Sequence, residues 1–373
     1  MSPQIKSNQV SLLSLILPKE SVVNVSDSVV SAGAAGVFQV TARGSVLNEG
    51  GLFQRMFPAP APEQLLLQVL IPNSKVDAVT DAAISAGNLD RVGSGAVFTI
   101  DCNDAHFSES FLGSADFDGQ GVETAGSGEL EAICCICEKG IADDIANAAL
   151  RGGAPGPTIT FGEGGGVRDK IPILRMTKGP EKEFVWCVVD KGDADEIFAD
   201  MARAGKITEP GRGFMYSIPV RSGLINVSST VSSSAYGANM EQIISAVDDL
   251  KGGKDWRTAV ETGKSRALKT TFLENLVGLY CIVPRDNYEV VYDAVLEGGA
   301  PGVSTNFGLM VDAASGTVPQ QQNEEWALVY TSVGPNSVDA LRDKVSSSLN
   351  DKGIKRFAFY SLPIPRALTY LGG

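Results

Sequence analysis

A block of sequence that occurs three times limits the folds open to this chain more than any other feature. Each copy contains an apolar segment, a helical segment and a glycine turn that leads into a second apolar segment. The part of each copy from the last glycine of this turn to the end of the closing apolar segment can be compared directly. It covers residues 36–101, 156–219 and 302–363. Copies of such similar length predict three versions of one structural unit.

Each copy has the order strand, helix, strand, long loop, strand, helix, strand. The predicted helices cover about residues 20–31, 74–85, 141–150, 194–204, 287–296 and 337–349. This order is typical of the ferredoxin-like (βαββαβ) plan, an α+β fold with a four-stranded antiparallel sheet and two helices on one face. Three linked copies can cover their open sheet faces with one another, which predicts a pseudo-threefold body within one chain.

The repeat divides the chain into three units and two connections. Unit 1 covers residues 9–103, unit 2 covers 129–222 and unit 3 covers 271–373. Residues 104–128 are predicted to be an acidic linker, and residues 223–270 a linker with an amphipathic helix.

The amphipathic helix is predicted from one apolar face in the second linker. The face comprises Met240, Ile243, Ile244, Val247 and Leu250. It either packs on the protein's own body or binds a partner, and the sequence leaves both open.

Composition excludes several classes of function. The formal net charge of −13 and the pI near 4.7 disfavour nucleic-acid binding, because there is no excess of cations to release counterions. The single histidine, His106, leaves little material for histidine metal sites or Ser-His-Asp chemistry. We therefore expect a protein that is not an enzyme.

The cysteines and the apolar segments bear on location. Six cysteines spread over 373 residues do not indicate a disulfide framework. Cys134, Cys135 and Cys137 crowd one strand, where buried core residues are favoured over a metal site. The apolar run at residues 10–18 is too short to span a bilayer. These features predict a cytoplasmic protein without direct membrane insertion.

The corner at residues 205–220 is the strongest candidate for a ligand site. The glycines at 205, 211 and 213 leave backbone N–H groups accessible to an anion. Lys206 and Arg212 supply positive charge. Such a corner can hold an anion. Alternatively, the Gly211-Arg212-Gly213 turn is needed only to enter the following strand.

Unit 2 carries motifs that resemble the PII-like signalling proteins, trimeric regulators of nitrogen and carbon metabolism. The motifs are GAPG at 153–156, FGEGGG at 161–166, PEKEF at 180–184 and EPGRGF at 209–214. Units 1 and 3 share the register of these motifs more than their residues. The resemblance implies that the long loops, about residues 42–62, 162–180 and 308–323, project toward partner proteins.

The resemblance also implies a nucleotide cleft between neighbouring units. The ligand would be an adenine nucleotide (ATP, ADP, AMP or cyclic AMP) or bicarbonate. The implied ligand residues are Gly162, Gly164, Gly205, Lys206, Gly211, Arg212 and Gly213 in unit 2, with Arg43 and Arg91 in unit 1. Glu163 departs from the basic residue common in the family and would repel a phosphate.

The implied function is that of a regulator or accessory protein. Its partner would be a membrane transporter, such as one for inorganic carbon or ammonium uptake, its cytoplasmic subunit, or a metabolic enzyme complex. The apolar loop residues predicted to bind the partner are Leu52, Phe53, Met56 and Phe57. Through such a partner the protein would lie at the inner face of the membrane. The alternative is a structural scaffold whose clefts no longer bind a ligand.

Overall fold

The computed structural model describes residues 4–47, 61–108, 111, 128–166, 180–227, 230–231, 271–312 and 324–371. The amphipathic helix and the four predicted partner-binding residues lie outside this part of the chain. The described residues form a mixed α+β structure with a mainly antiparallel sheet. This class is the one that the sequence predicts.

Four strands and two helices make up each of the three units. Unit 1 has β2 (Val10–Pro18), α1 (Val22–Ser31), β3 (Gly36–Gly44), β5 (Glu63–Pro72), α2 (Val76–Gly87) and β6 (Gly95–Asp101). Unit 2 has β8 (Leu130–Glu138), α3 (Ala142–Arg151), β9 (Thr158–Gly166), β10 (Glu181–Asp190), α4 (Ala194–Gly205) and β11 (Gly213–Val220). Unit 3 has β14 (Leu273–Pro284), α5 (Tyr288–Glu297), β15 (Gly302–Asp312), β16 (Glu324–Val333), α6 (Val338–Asp351) and β17 (Ala358–Thr369).

Shorter elements lie between the units or at the ends of strands. The short strands are β1 (Gln4–Ser7), β4 (Val46–Leu47), β7 (Asp104–Ser108), β12 (Ser222–Asn226) and β13 (Thr230–Val231). Short 3-10 turns cover Lys19–Ser21, Asn73–Lys75, Arg285–Asn287 and Pro335–Ser337.

The six helices lie within about two residues of their predicted positions. Their apolar faces explain why the prediction succeeds: in α4, Ile197, Phe198 and Met201 are buried on one side. This spacing of three and four residues aligns the side chains along the face that meets the sheet.

All three units have the same strand order. The first strand of each unit pairs with its third and fourth strands, and the second strand pairs with the third, always antiparallel. The helices of each unit enclose a separate apolar core against one face of its sheet. A fourth cluster contains residues from the opposite faces of all three sheets. The units are therefore packed sheet against sheet.

The second strands of the three units pair with one another in a closed cycle. Residues 42–44 of β3 pair with 158–160 of β9. Residues 162–166 of β9 pair with 302–306 of β15, and 309–312 of β15 return to 36–39 of β3. Each strand thus uses its first half on one neighbour and its second half on the other. This pairing covers edges that would otherwise be open to other chains.

The fourth strands form a second closed cycle through chain segments that cross between units. β7 leaves unit 1 and pairs with β17 of unit 3, and β12 leaves unit 2 and pairs with β6 of unit 1. The end of β17 pairs with β11 of unit 2. The regions predicted as linkers, 104–128 and 223–270, therefore begin as strands or within one, because these residues supply backbone partners to a neighbouring edge.

Three tyrosines lie in register across the inner face of unit 3. Tyr280 pairs with Tyr330 and Tyr360 on its two neighbouring strands. Its ring stacks on theirs with centroids 5.0 and 4.8 Å apart. The Tyr280 hydroxyl lies 3.3 Å from that of Tyr216 in unit 2. The hydroxyls of Tyr330 and Tyr360 are buried and have no hydrogen-bond partner among the described residues.

Candidate functional site

The two cycles create three equivalent clefts between the units. In each cleft, the turn before the fourth strand of one unit faces a segment from a second unit. That segment is either the end of the second unit's fourth strand or the short strand that comes directly after it. The 1–2 cleft joins the turn of unit 1 to β12, the 2–3 cleft joins the turn of unit 2 to the end of β17, and the 3–1 cleft joins the turn of unit 3 to β7.

A cavity of about 670 Å³ lies in the 1–2 cleft. Unit 1 lines it with residues 18–20 and 62–64 and with Gly93 and Gly95, and Val227 after β12 lines it from the other side. This volume falls within the range of about 300–1,000 Å³ that is usual for small-molecule sites. The cavity is thus large enough for a metabolite.

Gly95 allows the turn of unit 1 to approach the first strand closely. Its φ is +129°, and a Cβ at this position would overlap the carbonyl oxygen of Ile16. Gly93, with φ +86°, donates its N–H to the Asn226 oxygen at 2.7 Å, and Ser94 donates its N–H to the Arg91 oxygen at 3.2 Å. These two N–H groups therefore already have backbone partners.

The lining of the 1–2 cleft is weakly acidic. Lys19 donates to Glu63 at 2.7 Å, and this hydrogen bond raises the pKa of Lys19 and lowers that of Glu63. Glu20 is exposed, and no cation lies within ion-pair distance of it among the residues described. Two carboxylates and one paired ammonium give the lining a surplus of negative charge.

Equivalent ion pairs occur at the same place in the other two units. Lys139 lies 2.9 Å from Glu181, and Arg285 lies 2.8 Å from Glu325. Each joins the end of the first strand to the start of the third. These exposed pairs recur at the same position in all three units and do not distinguish one cleft from another.

In the 2–3 cleft the predicted cation Arg212 faces carboxylates of its own unit. It lies 3.6 Å from Glu138 and 3.5 Å from Glu209. Gly213 has φ +155°, and a Cβ there would overlap the Ile136 carbonyl oxygen. Gly211 also has a positive φ, +74°. The turn glycines of units 1 and 2 share a geometric role.

Lys206 and Gly205 are placed by the end of α4. Lys206 is the C-cap residue in the left-handed conformation, with φ +51°, and it is exposed. A Cβ on Gly205 would lie 2.8 Å from Ile145 Cδ1, so this glycine permits α4 to pack against α3. Its identity is explained by packing without a ligand.

Gly162 and Gly164 lie inside a strand, because β9 continues to Gly166. The predicted loop from residue 162 therefore begins later. A Cβ on Gly162 would overlap the Thr305 carbonyl oxygen of unit 3, and one on Gly164 would lie 3.0 Å from Lys182 Cγ. The cycle of second strands accounts for the small residue at 162.

Arg43 joins units 1 and 2. It donates to both carboxylate oxygens of Asp143, at 2.6 and 3.0 Å, and lies 4.0 Å from Glu183. Glu183 accepts from the N–H groups of Gly140 and Ala142 at the start of α3. Arg91 is exposed and does not line the 670 Å³ cavity. The predicted ligand residues therefore lie in several places, and the structure does not bring them into one pocket.

Aromatic side chains occupy the 3–1 cleft. Strand register makes Trp326 equivalent to Gln64, and the Trp326 ring is fully buried in the cluster between the units. Phe357 is equivalent to Gly95, but its ring is buried in the core under the helices of unit 3. Phe111, from the first linker, packs edge-on against Trp326 with ring centroids 6.0 Å apart. Sequence reasoning missed this closure, although an aromatic residue at the position aligned with Gln64 was a signal.

A charged cluster fixes β7 in the 3–1 cleft. Asp104 lies 2.9 Å from Arg342 and 3.1 Å from His106, and it accepts a hydrogen bond from Ser361. Burial raises the pKa of Asp104, but the bonds from His106 and Ser361 and the charge of Arg342 outweigh it and hold the pKa at about 2. This cluster locks the first crossover segment onto unit 3.

Among the described residues, no group of three or more His, Cys, Asp or Glu could hold a metal ion. All six cysteines are buried, including Cys134, Cys135 and Cys137, and burial raises the pKa of their thiols. In the same part of the chain, no helix is long and apolar enough to cross a membrane.

No protein-family model and no curated protein matches the sequence. Among solved structures, PII of Arabidopsis thaliana bound to citrate aligns at 15% identity over 24% of this chain and 72% of that chain, with a TM-score of 0.20. A microcompartment protein from Desulfitobacterium hafniense aligns at 13% identity over 57% and 94%, with a TM-score of 0.19. Aspartate kinase from Synechocystis aligns at 8% identity over 97% and 52%, with a TM-score of 0.22. These are weak structural neighbours, and scores this low transfer no function.

Proposed function

We propose that this chain is a non-enzymatic regulatory protein built as a pseudo-trimer of three ferredoxin-like units, in the manner of PII-like proteins. The strand order 4-1-3-2 within each unit supports the ferredoxin-like description. The two closed pairing cycles support the pseudo-threefold arrangement, because each unit makes the same two kinds of contact with its neighbours.

The regulator senses a small molecule in the 1–2 cleft. The observation that carries this proposal is the 670 Å³ cavity, which is lined by unit 1 and by Val227 from the segment that follows unit 2. A ligand held there would contact unit 1 and the segment that follows unit 2, and would favour the arrangement in which they meet. An adenine nucleotide and bicarbonate are the candidate ligands.

The ligand state would be communicated to a protein partner through the predicted projecting loops. The proposed partner is a membrane transporter or its cytoplasmic subunit, or a metabolic enzyme complex. The protein would then be cytoplasmic and peripheral at the inner face of the membrane. Its acidic charge of −13 is consistent with a protein partner and opposes binding to nucleic acid.

Calorimetry on the full chain against ATP, ADP, AMP, cyclic AMP and bicarbonate tests the ligand proposal. Glu20→Trp introduces an indole ring into the lining of the 1–2 cavity and is expected to abolish saturable binding by obstructing the site. Asp286→Trp is the matched control, because Asp286 is exposed at the same place in the 3-10 turn of unit 3. Binding that survives Glu20→Trp but is lost in Arg212→Ala would move the site to the 2–3 cleft.

A structural scaffold is the second candidate function. It is favoured by the ion pairs of Arg43 and Arg212 inside the chain and by the packing roles of Gly162 and Gly205. Affinity capture from membrane and cytosolic fractions distinguishes the two functions. A scaffold gives a stoichiometric complex that no ligand alters, whereas a regulator gives one whose yield changes with the ligand.

A further inference from the structure

We propose that the 1–2 cleft takes an uncharged ligand of nucleoside size and rejects phosphoanions. This inference rests on the proposed function of the cleft as a small-molecule site, and it replaces the adenine nucleotide and bicarbonate named there with an uncharged ligand. It follows from three observations on the lining: the state of the N–H donors, the charge of the side chains and the apolar surfaces beside them.

Two backbone donors of the turn, the N–H groups of Gly93 and Ser94, already have partners. A glycine turn binds phosphate when several N–H groups point together into the site without other partners. Here the Gly93 N–H is donated to Asn226, which belongs to the segment that closes the cleft, and the Ser94 N–H is donated to Arg91. A phosphate would have to displace β12 from the turn to obtain the first of these donors.

The side chains also disfavour negative charge. The Lys19 ammonium is hydrogen-bonded to Glu63, and the Glu20 carboxylate adds a negative charge for which the described part of the chain provides no ion pair. Arg91 is in the same turn but does not line the cavity. A phosphate in the cavity would face more carboxylate than ammonium, whereas a neutral ligand would not be repelled.

The remaining lining fits a ring with hydrogen-bonding edges. Pro18, Pro62 and Val227 present apolar surface from both sides of the cleft. The Gln64 amide oxygen accepts from Thr158 at 3.0 Å and is held in place by that bond. An apolar slot with a few fixed polar groups is the usual arrangement for binding an uncharged heterocycle.

The test compares four ligands that share the adenosine group and differ in the number of phosphates: adenosine, AMP, ADP and ATP. Each is titrated into the full chain by calorimetry. Adenosine is expected to bind tightest. The affinity should fall about tenfold or more on addition of the first phosphate, because the phosphate is repelled by the carboxylates of the lining. Raising the salt concentration should reduce the difference in affinity between adenosine and AMP, since salt screens that repulsion.

Two matched substitutions locate the effect. Glu20→Gln should increase the affinity for AMP several-fold and leave the affinity for adenosine unchanged. Asp286→Asn, at the equivalent exposed position of unit 3, should change neither affinity. Glu20→Trp should abolish adenosine binding, and Asp286→Trp should not.

The outcomes separate this inference from the proposed function. If ATP or bicarbonate binds tighter than adenosine and Glu20→Trp abolishes that binding, the cleft is a ligand site but the inference is wrong. Adenosine binding that Glu20→Trp leaves intact also overturns it. If neither bicarbonate nor any member of the series binds, ligand sensing by this cleft fails and the inference fails with it.

Discussion

The 1–2 and 3–1 clefts share a backbone plan but differ in what fills them. Both have a cation–carboxylate pair at the mouth, Lys19–Glu63 in one and Arg285–Glu325 in the other. The first encloses a cavity of about 670 Å³, while the second is packed with Trp326 and other aromatic side chains. Side-chain volume at a few aligned positions therefore decides which cleft is open.

The crossover segments of the two clefts differ as well. β12 is fixed to unit 1 beside the ion pair of Arg221 with Asp101, 3.0 Å apart. β7 is fixed to unit 3 by Asp104, whose carboxylate contacts Arg342, His106 and Ser361. Both crossover segments are thus held by charged side chains in addition to their backbone pairing.

The largest expected effect comes from emptying the filled cleft. Trp326→Ala should lower the free energy of unfolding by about 3–5 kcal/mol, because it removes a fully buried ring and leaves a cavity. Gln64→Ala, the equivalent change in the open cleft, should cost clearly less. Denaturant unfolding measures both. Equal losses would contradict the distinction between a filled and an open cleft.

A smaller loss is expected where the turn of unit 2 touches its first strand. Gly213→Ala should cost about 2–3 kcal/mol, since the new Cβ would overlap the Ile136 carbonyl oxygen at a positive φ. Gly140→Ala is the control: its φ is also positive, at +94°, but a Cβ there meets nothing within 4 Å. If the two variants lose the same stability in thermal unfolding, the close approach has no energetic role.

Acid should weaken the 3–1 crossover in a defined range. The folded pKa of Asp104, about 2, lies below its ordinary value of 3.8, so its contribution is complete above pH 4 and is lost as pH falls toward 2. The loss should be about 2 kcal/mol. Asp104→Asn should flatten this part of the stability profile. An unchanged profile in Asp104→Asn would refute the assignment.

The smallest effect concerns the tyrosine ladder of unit 3. Tyr360→Phe should raise the free energy of unfolding by about 1 kcal/mol, because it removes a buried hydroxyl without a partner among the described residues. Tyr280→Phe should instead lower it, since its hydroxyl meets that of Tyr216. Chemical denaturation compares the two variants. A loss in Tyr360→Phe would show that its hydroxyl is bonded.

The sequence predicted the elements within each unit because their signals are local. Apolar residues at helical spacing, as in α4, and the aligned glycine turns depend only on neighbouring residues. The sequence did not predict the crossover strands β7 and β12, since their pairing partners lie in other units. Long-range backbone pairing has no short-range pattern, and an acidic composition at residues 104–128 suggested a linker.

The candidate site was predicted only in outline. The turn before the fourth strand was recognised, but unit 2 was favoured because it carries the clearest motifs. The structure places the 670 Å³ cavity in the 1–2 cleft, where Gln64 leaves room that Trp326 fills in the 3–1 cleft. Arg43 looked like a ligand residue, yet it binds Asp143 across a unit boundary that no local pattern reveals.

The decisive measurement is the number of adenosine molecules bound per chain, because the 1–2 cleft holds an open cavity while aromatic side chains fill the 3–1 cleft and Arg212 pairs with carboxylates in the 2–3 cleft. Calorimetric titration of the full chain should give one site, which Glu20→Trp removes and Asp286→Trp leaves intact. No binding, two or three sites per chain, or one site that persists in Glu20→Trp, would contradict the account.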